Sequence, residues 1–408
     1  MPKPAAARSS IDPDAALALL LRPELALLDH LRPEAAQARR ARMAEDAYGF
    51  YRGANAIACH WLTGALPADV PWVWAMGDAH PDNFATLAVG PRRGDDGLSP
   101  VRVDVADVDD EHPAPWCWDA VRLLAGIRLR LPKLKTLPEL AAAHLDEYRR
   151  TVADHRAGDV RWTRIDLAGL PVPLQEAISA DSAAERYAKH LAEHVDGQRL
   201  RRGKRLAACT DGDAVRACVA RAWQRSDMPE HEVIDVATRL GGGGVASRGR
   251  RRWMLLVRER VRVAGKVEPR LRLVEVKERR PSVLARFVAV DPFPPRDAPP
   301  ASVPMGLDPF HGVVPAGAGM LMARTRCHAR TPLDLGACDD GDLVRAARLF
   351  GQLLAAFHCR GLVSIGVERT LLASVGRPDA AQLADWAEGL AAWTTECHAR
   401  FAKGMKKR

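Results

Sequence analysis

Two stretches hold the residues whose types and spacing could do chemistry. In WVWAMGDAHPDNFATL (Trp72–Leu87) an apolar run reads as a buried strand ending at Gly77. The polar loop after it carries Asp78, His80, Asp82 and Asn83. In RVDVADVDDEHPAPWCWDAVRLL (Arg102–Leu124) a β-branched run carries Asp104 and Asp107 and passes into Asp109, Asp110 and Glu111. Acids placed where strands run out into loops suit a cation-dependent site. The strand fixes the backbone, and the loop leaves carboxylate oxygens free to meet a ligand.

The spacing narrows the chemistry. An Asp followed five residues later by Asn, then a strand ending in another Asp, is the pattern of kinase-type phosphoryl transfer. On that pattern the first Asp takes the proton of the attacking hydroxyl, the Asn holds magnesium, and the later Asp holds the metal between the phosphates. Magnesium prefers hard oxygen ligands and keeps several waters, so two or three such side chains suffice. Asp104 lies three positions before Asp107. On a regular strand the two point to opposite faces, which makes Asp104 a rival metal ligand rather than a partner. Asp78 and His80 also have the DxH spacing of a metallophosphoesterase. No GNHD-type block or further histidine ligand set follows, so a metal-dependent phosphohydrolase is the weaker alternative and His80 reads as a loop stabiliser.

GFYRGA (Gly49–Ala54), GDAHPDNF (Gly77–Phe84), the Asp104–Asp110 run with PWCWDAVRLL, and EVKERRPSVL (Glu275–Leu284) together resemble an uncharacterised bacterial family, domain of unknown function 2252. Their order and spacing match over most of the chain. GDAHPDNF is also similar to the HGDLHPGN loop of aminoglycoside and choline phosphotransferases, with Met76 where those enzymes carry His. That resemblance implies a catalytic Asp at Asp78, a metal-binding Asn at Asn83 and a metal-binding Asp at Asp107. Val108 and Asp109 stand where a kinase has Phe and Gly.

A second set of residues follows much later. VIDVATRLGGGGVASRGRRRWMLLVRERV has strand-like runs around Gly241, Gly242, Gly243 and Gly244, and LRLVEVKERR adds a strand with Lys277 near its end. Strand, glycine turn, strand, then a strand with an inward Lys is the small lobe of a kinase in miniature. The glycines let backbone N–H groups approach phosphates, and the Lys neutralises them. Four glycines in a row also suit a flexible linker. In ordinary kinases this unit precedes the catalytic Asp, whereas here it follows. The expectation is therefore an α+β, two-lobed, kinase-like fold in circularly permuted order, which chain termini that lie close together would allow. Kinases pair the Lys with a Glu on the next helix, yet no Glu occurs between Arg279 and Val367. A non-catalytic nucleotide- or partner-binding module is thus the second expectation.

These residues need elements to position them. The expected organisation is an N-terminal arm over 1–33, a helical lobe with both acidic loops over 34–228, a β-rich lobe over 229–330, and C-terminal helices over 331–408. Between Pro33 and Leu62, small and apolar residues recur at helix spacing. Arg52 there reads as a structural cation–π or salt-bridge partner of its aromatic neighbours rather than an anion ligand. The connector GPRRGDDGLSP between the two acidic stretches predicts a hairpin-like pairing. Asp119 is expected to cap a helix or brace the first loop, and His358 to be a core or helix-end histidine rather than a catalyst.

At 408 residues the chain is long enough for two lobes with a real core. No apolar run reaches membrane-span length, and the LALLL segment is flanked by charges, as in a helix rather than a signal peptide. Eight cysteines stand singly with no CxxC pair. That pattern suggests neither zinc nor a disulfide framework and fits a reducing cytoplasm. The net charge of +9 suits an anionic ligand such as ATP and also nucleic acid. The basic runs QRLRRGKR, SRGRRR and KGMKKR lack interleaved aromatics, so they read as solvated faces. Nothing in the sequence specifies the phosphoryl acceptor.

Overall fold

The computed structural model describes residues 11–67, 69–88, 98, 101–156, 169–179, 183–224, 228–240, 250–288, 308–316, 319–328, 330–363 and 377–405. Gly241–Gly244 lie outside these. The chain opens with helices Pro13–Ala16 (α1), Arg22–Leu31 (α2), Pro33–Glu45 (α3), Ala47–Gly53 (α4) and Asn55–Ala65 (α5). The LALLL segment continues the first helix as a π-turn, Leu17–Leu21. The helical spacing after Pro33 is real but not continuous. Asp46 is extended and caps α4 by accepting from Gly49 N, and Ala54 breaks the next junction.

The two acidic stretches fold as nested pairs. Strands Trp72–Ala75 (β1) and His112–Pro115 (β4) pair antiparallel, and Phe84–Leu87 (β2) pairs with Arg102–Val105 (β3), as the connector predicts. The β1–β2 loop and the β3–β4 loop therefore meet at one end. Ala106 N donates to Asn83 O at 2.8 Å across that meeting point.

Behind this unit stand helices Cys117–Arg130 (α6), Leu137–Arg156 (α7), Val172–Ser179 (α8), Ala183–His194 (α9), Asp340–Val363 (α11) and the C-terminal helix Ala380–Met405. α6 is buried through its first eleven residues. It contributes Trp118 to the largest core cluster, along with Trp116, Tyr148, Phe350 and Phe357. α7 and α11 cross so closely that Gly351 leaves no room for a Cβ, which would meet the backbone oxygen of His144.

The remaining strands are Val195–Asp196 (β5), Arg199–Leu200 (β6), Leu206–Ala207 (β7), His231–Arg239 (β8), Arg252–Val263 (β9), Lys266–Arg279 (β10), Gly312–Ala316 (β11) and Gly319–Thr325 (β12). Except for the β5–β6 pair, they form one antiparallel sheet in the order β11-β12-β10-β9-β8-β7. Alternation sends one side chain in two to each face. Trp253, Leu255, Val257, Val274 and Val276 meet Val215, Val219 and Trp223 of the helix Gly212–Ala222 (α10). α10 lies in the span read from sequence as helical lobe, but its apolar face covers the sheet. The overall class is thus mixed α+β with a six-stranded antiparallel sheet, as expected at that level.

Replacing Gly351 by Ala should force α7 and α11 apart and cost roughly 1–3 kcal/mol of stability by overpacking. Denaturant unfolding of G351A against the parent checks this, and an unchanged midpoint would contradict the close crossing.

Candidate functional site

The β1–β2 loop is held from beneath. Gly77 has φ +79°, a left-handed conformation glycine adopts without strain. Its missing side chain is also required, because a Cβ there would collide with Asp110 O of the opposite loop. Asp119, in the first turn of α6, accepts from Met76 N at 2.6 Å and Gly77 N at 2.9 Å. It therefore braces the loop. His358 Nε2 lies 3.0 Å from Asp119 Oδ2, and Tyr148 Oη lies 2.8 Å from His358 Nδ1. With Asp119 ionised, Nε2 donates to it and Nδ1 accepts from the tyrosine, so one tautomer satisfies the buried chain. His358 is the core histidine the sequence suggests, at a structurally demanding place.

Asp78 emerges from this brace partly exposed, at 17%. Its Oδ1 accepts from Arg122 Nε at 3.1 Å and from Arg122 Nη2. Arg122 is fully buried on α6 and stacks on the Tyr51 ring at 4.3 Å. Burial lifts Asp78 to about 7, against the pull of Arg122 and helped by Asp110 and Asp107. Asn83 donates from Nδ2 to Asp78 O at 3.0 Å, which ties its side chain to the base of the loop. His80 is buried with its ring edge-on to Tyr48, and its Nε2 stands 3.9 Å from Asp78 Oδ2. Burial, with Arg52 and Arg122 nearby, holds it well below the ordinary histidine range, so it is neutral. Arg52 pairs with Asp82 at 2.7 Å and lies 5.8 Å from the Tyr48 ring, a bracing position.

The β3–β4 loop meets β10. Lys277 Nζ lies 3.5 Å from Asp107 Oδ1 and 2.5 Å from Asp109 Oδ1. It is 1% exposed. Burial and Arg324 lower its pKa, opposed by Asp107 and Asp109. Burial would raise Asp107, yet Lys277 and Arg324 outweigh it and hold the carboxyl far below the usual range. Arg324, on β12, stands 3.7 Å from Asp107 Oδ1. Asp104 instead accepts from Val105 N on β3. Of the two rivals, Asp107 is the one that reaches Lys277.

The rest of the acidic run meets residues just before β9, at the end of β10 and just after it, and one on α5. Arg250 pairs with Asp109 at 2.9 Å and Arg279 with Glu111 at 2.9 Å. Asp110 accepts from Asn55 Nδ2 at 2.9 Å, and its backbone oxygen accepts from Ser282 Oγ at 2.7 Å. Glu275, two residues before Lys277, is enclosed by Arg239, Arg252 and Arg324.

Asp78, Asn83, Asp107 and Lys277 thus belong to one neighbourhood built from β1–β4 and β10. Sequence reading missed Arg122, Arg324 and the separate partners of Asp109, Asp110 and Glu111. Arg122 had a signal: a lone Arg three residues after Asp119 on an otherwise apolar helix face shares that face with it. Arg324 had none, because its partners come from other elements. Among the described residues no group of three or more His, Cys, Asp or Glu side chains forms a metal cage. Asn83 and Asp107 offer hard oxygen donors of the kind magnesium prefers, not the nitrogen and sulfur donors of a soft metal.

A mixed α+β chain with an antiparallel sheet docked on an acidic loop pair is the class these features define. More specifically, residues 31–404 match a family described as an uncharacterised protein conserved in bacteria, DUF2252, and the chain belongs to it. No curated protein and no solved structure matches. No helix among the described residues is long and apolar enough to cross a membrane.

Removing one partner of the buried Lys277–Asp109 pair should cost about 3–5 kcal/mol, because the other charge stays buried. A double-mutant cycle of Lys277→Met and Asp109→Asn should show a coupling of about 0.5–3 kcal/mol in urea unfolding. Strict additivity would contradict the contact.

Proposed function

We propose that this DUF2252 protein is an ATP- and magnesium-dependent phosphotransferase with a two-lobed, kinase-like fold in circularly permuted order. In this reading the β-rich lobe is the phosphate-holding half, though it follows the catalytic loop in sequence. The observation that carries it is the approach of Lys277 to Asp107, two residues far apart in the chain, beside a loop in which Asn83 is tied to Asp78. A lysine, a metal-binding Asp and Asn, and an Asp base are the parts that position phosphates and a hydroxyl for transfer.

Asp78 accepts the acceptor hydroxyl's proton, Lys277 neutralises phosphate charge, and Asn83 and Asp107 hold magnesium. Gly241–Gly244, the phosphate cover expected from the sequence, lie outside the described residues, and Asp104 and His80 support the loops. When bound, the metal supplies charge neutralisation on the phosphate oxygens. Lys277 has no helix Glu, and Asp109 takes that holding role. The acceptor is a hydroxyl-bearing small molecule or protein.

The second reading, a non-catalytic nucleotide- or partner-binding module, is favoured by one observation. Asp107 already faces two cations, Lys277 and Arg324, so a metal ion must compete for it.

ATP with magnesium should raise the melting temperature of the full chain, and Asp107→Ala should abolish the rise. Asp78→Ala should keep ATP binding while slowing transfer by about 10²–10⁴-fold. If ATP binds but no transfer to any hydroxyl acceptor or to water is detected, the second reading stands instead.

A base must be deprotonated to act. With Asp78 near 7, transfer should increase as pH rises through about 7. Arg122→Gln removes a group that favours the carboxylate and should move the midpoint upward. A flat profile between pH 5 and 9, or a midpoint unmoved by R122Q, would remove Asp78 from the proton-transfer role.

A further inference from the structure

A cavity of about 340 Å³ opens between α9 and the end of β12, lined by Ala106 immediately before Asp107. Four arginines line it: Arg205, Arg324, Arg326 and Arg330. The acids on its wall already have partners. Glu275 takes Arg239, Arg252 and Arg324. Asp308 accepts from Thr325 N and Thr325 Oγ1, each at 2.7 Å, and from Phe310 N at 3.0 Å. Glu193 lies 3.9 Å from Arg205.

Arg326 and Arg330 are different. Among the described residues neither has an ion-pair partner, and Arg326 Nε is buried with no hydrogen-bond acceptor. His190, beside the Arg326 backbone, also lines the cavity, and its Nε2 is buried without a hydrogen-bond partner. Burial and the guanidiniums of Arg239 and Arg324 pull Arg326 down to about 10, while Glu275 pulls the other way. Burial, with His194 and Arg326, takes His190 to about 3 and leaves it neutral. A neutral imidazole can still donate one hydrogen bond. Arg326 is half-buried and Arg330 exposed; like charges gathered along one cavity raise the energy of the ligand-free protein, and a bound oxyanion relieves that through charge-assisted hydrogen bonds.

We propose that this cavity is an oxyanion-binding site, taking a phosphate-class group through Arg326 and Arg330, with His190 completing the wall. It adjoins the Lys277 clamp, since Arg324 lines the cavity and also faces Asp107, but it does not rest on the phosphotransfer reading, because a non-catalytic module would use it equally. The phosphate can be free or carried on a small molecule.

The test is thermal unfolding of the full chain with inorganic phosphate, with AMP, and with adenosine, against sodium chloride at matched ionic strength. Phosphate at about a hundred times its Kd should raise the melting temperature by roughly 3 °C for a chain of this size. Arg326→Gln should abolish that rise while itself raising the ligand-free melting temperature, because it removes a like charge. If R326Q does not fold, Arg330→Gln carries the same expectation for phosphate. AMP stronger than phosphate, with adenosine silent, would identify the carried phosphate as the ligand; phosphate equal to AMP would identify the free ion. A rise produced equally by chloride, or kept in the arginine variants, overturns the proposal. Asp78→Asn should leave the phosphate shift intact, so failure of phosphoryl transfer and failure of this site read out separately.

Discussion

One buried contact organises the molecule: the ammonium of Lys277 set between Asp107 and Asp109. A charge as deeply enclosed as this lysine is costly unless opposite charges meet it at short range. The same constraint acts on the acids, which would otherwise be buried without compensation. Because the lysine belongs to the long sheet and the aspartates to the loop after β3, neither can be satisfied unless the two pieces dock. Arg250 on Asp109, Arg279 on Glu111 and Ser282 on Asp110 repeat that demand along three consecutive acidic-loop residues.

The second loop depends on the first through glycine. Gly77 lets the β1–β2 loop turn left-handed and lie flush against Asp110, and Asp119 supplies the two backbone N–H groups there with acceptors. Asp119 is in turn oriented by His358 and Tyr148, residues contributed by α11 and α7. Asp78 is therefore positioned by a frame that extends through the helical core. Arg122, the cation that pairs with it among the described residues, comes from the same turn of α6 as the brace. An acid partly open to solvent, lifted by burial and steadied by one arginine, is poised rather than locked.

Much of this was legible in the chain. Periodicity placed the long helices, the strand of Lys277 and the hairpin of β2 with β3, because local spacing reports which face is buried. The acids at strand ends were legible as a cluster for the same reason. Continuous helical spacing after Pro33 was too coarse, since Asp46 and Ala54 break it through backbone conformation that apolar period does not register. The assignment of α10 to the helical half by chain position also fell short. Its Val215, Val219 and Trp223 pack on the sheet because that is where the matching apolar face lies.

What the amino-acid order by itself determined was local: which segments are helix or strand, which carboxylates stand at strand ends, and which family the motifs join. What only the tertiary structure decided was pairing. Asp107 rather than Asp104 meets the lysine, Asp109 meets it as well, and Arg324 and Arg326 line a common cavity. Electrostatic partners are chosen by distance in space, and distance between residues hundreds of positions apart is set only when the sheet and the helical body pack together.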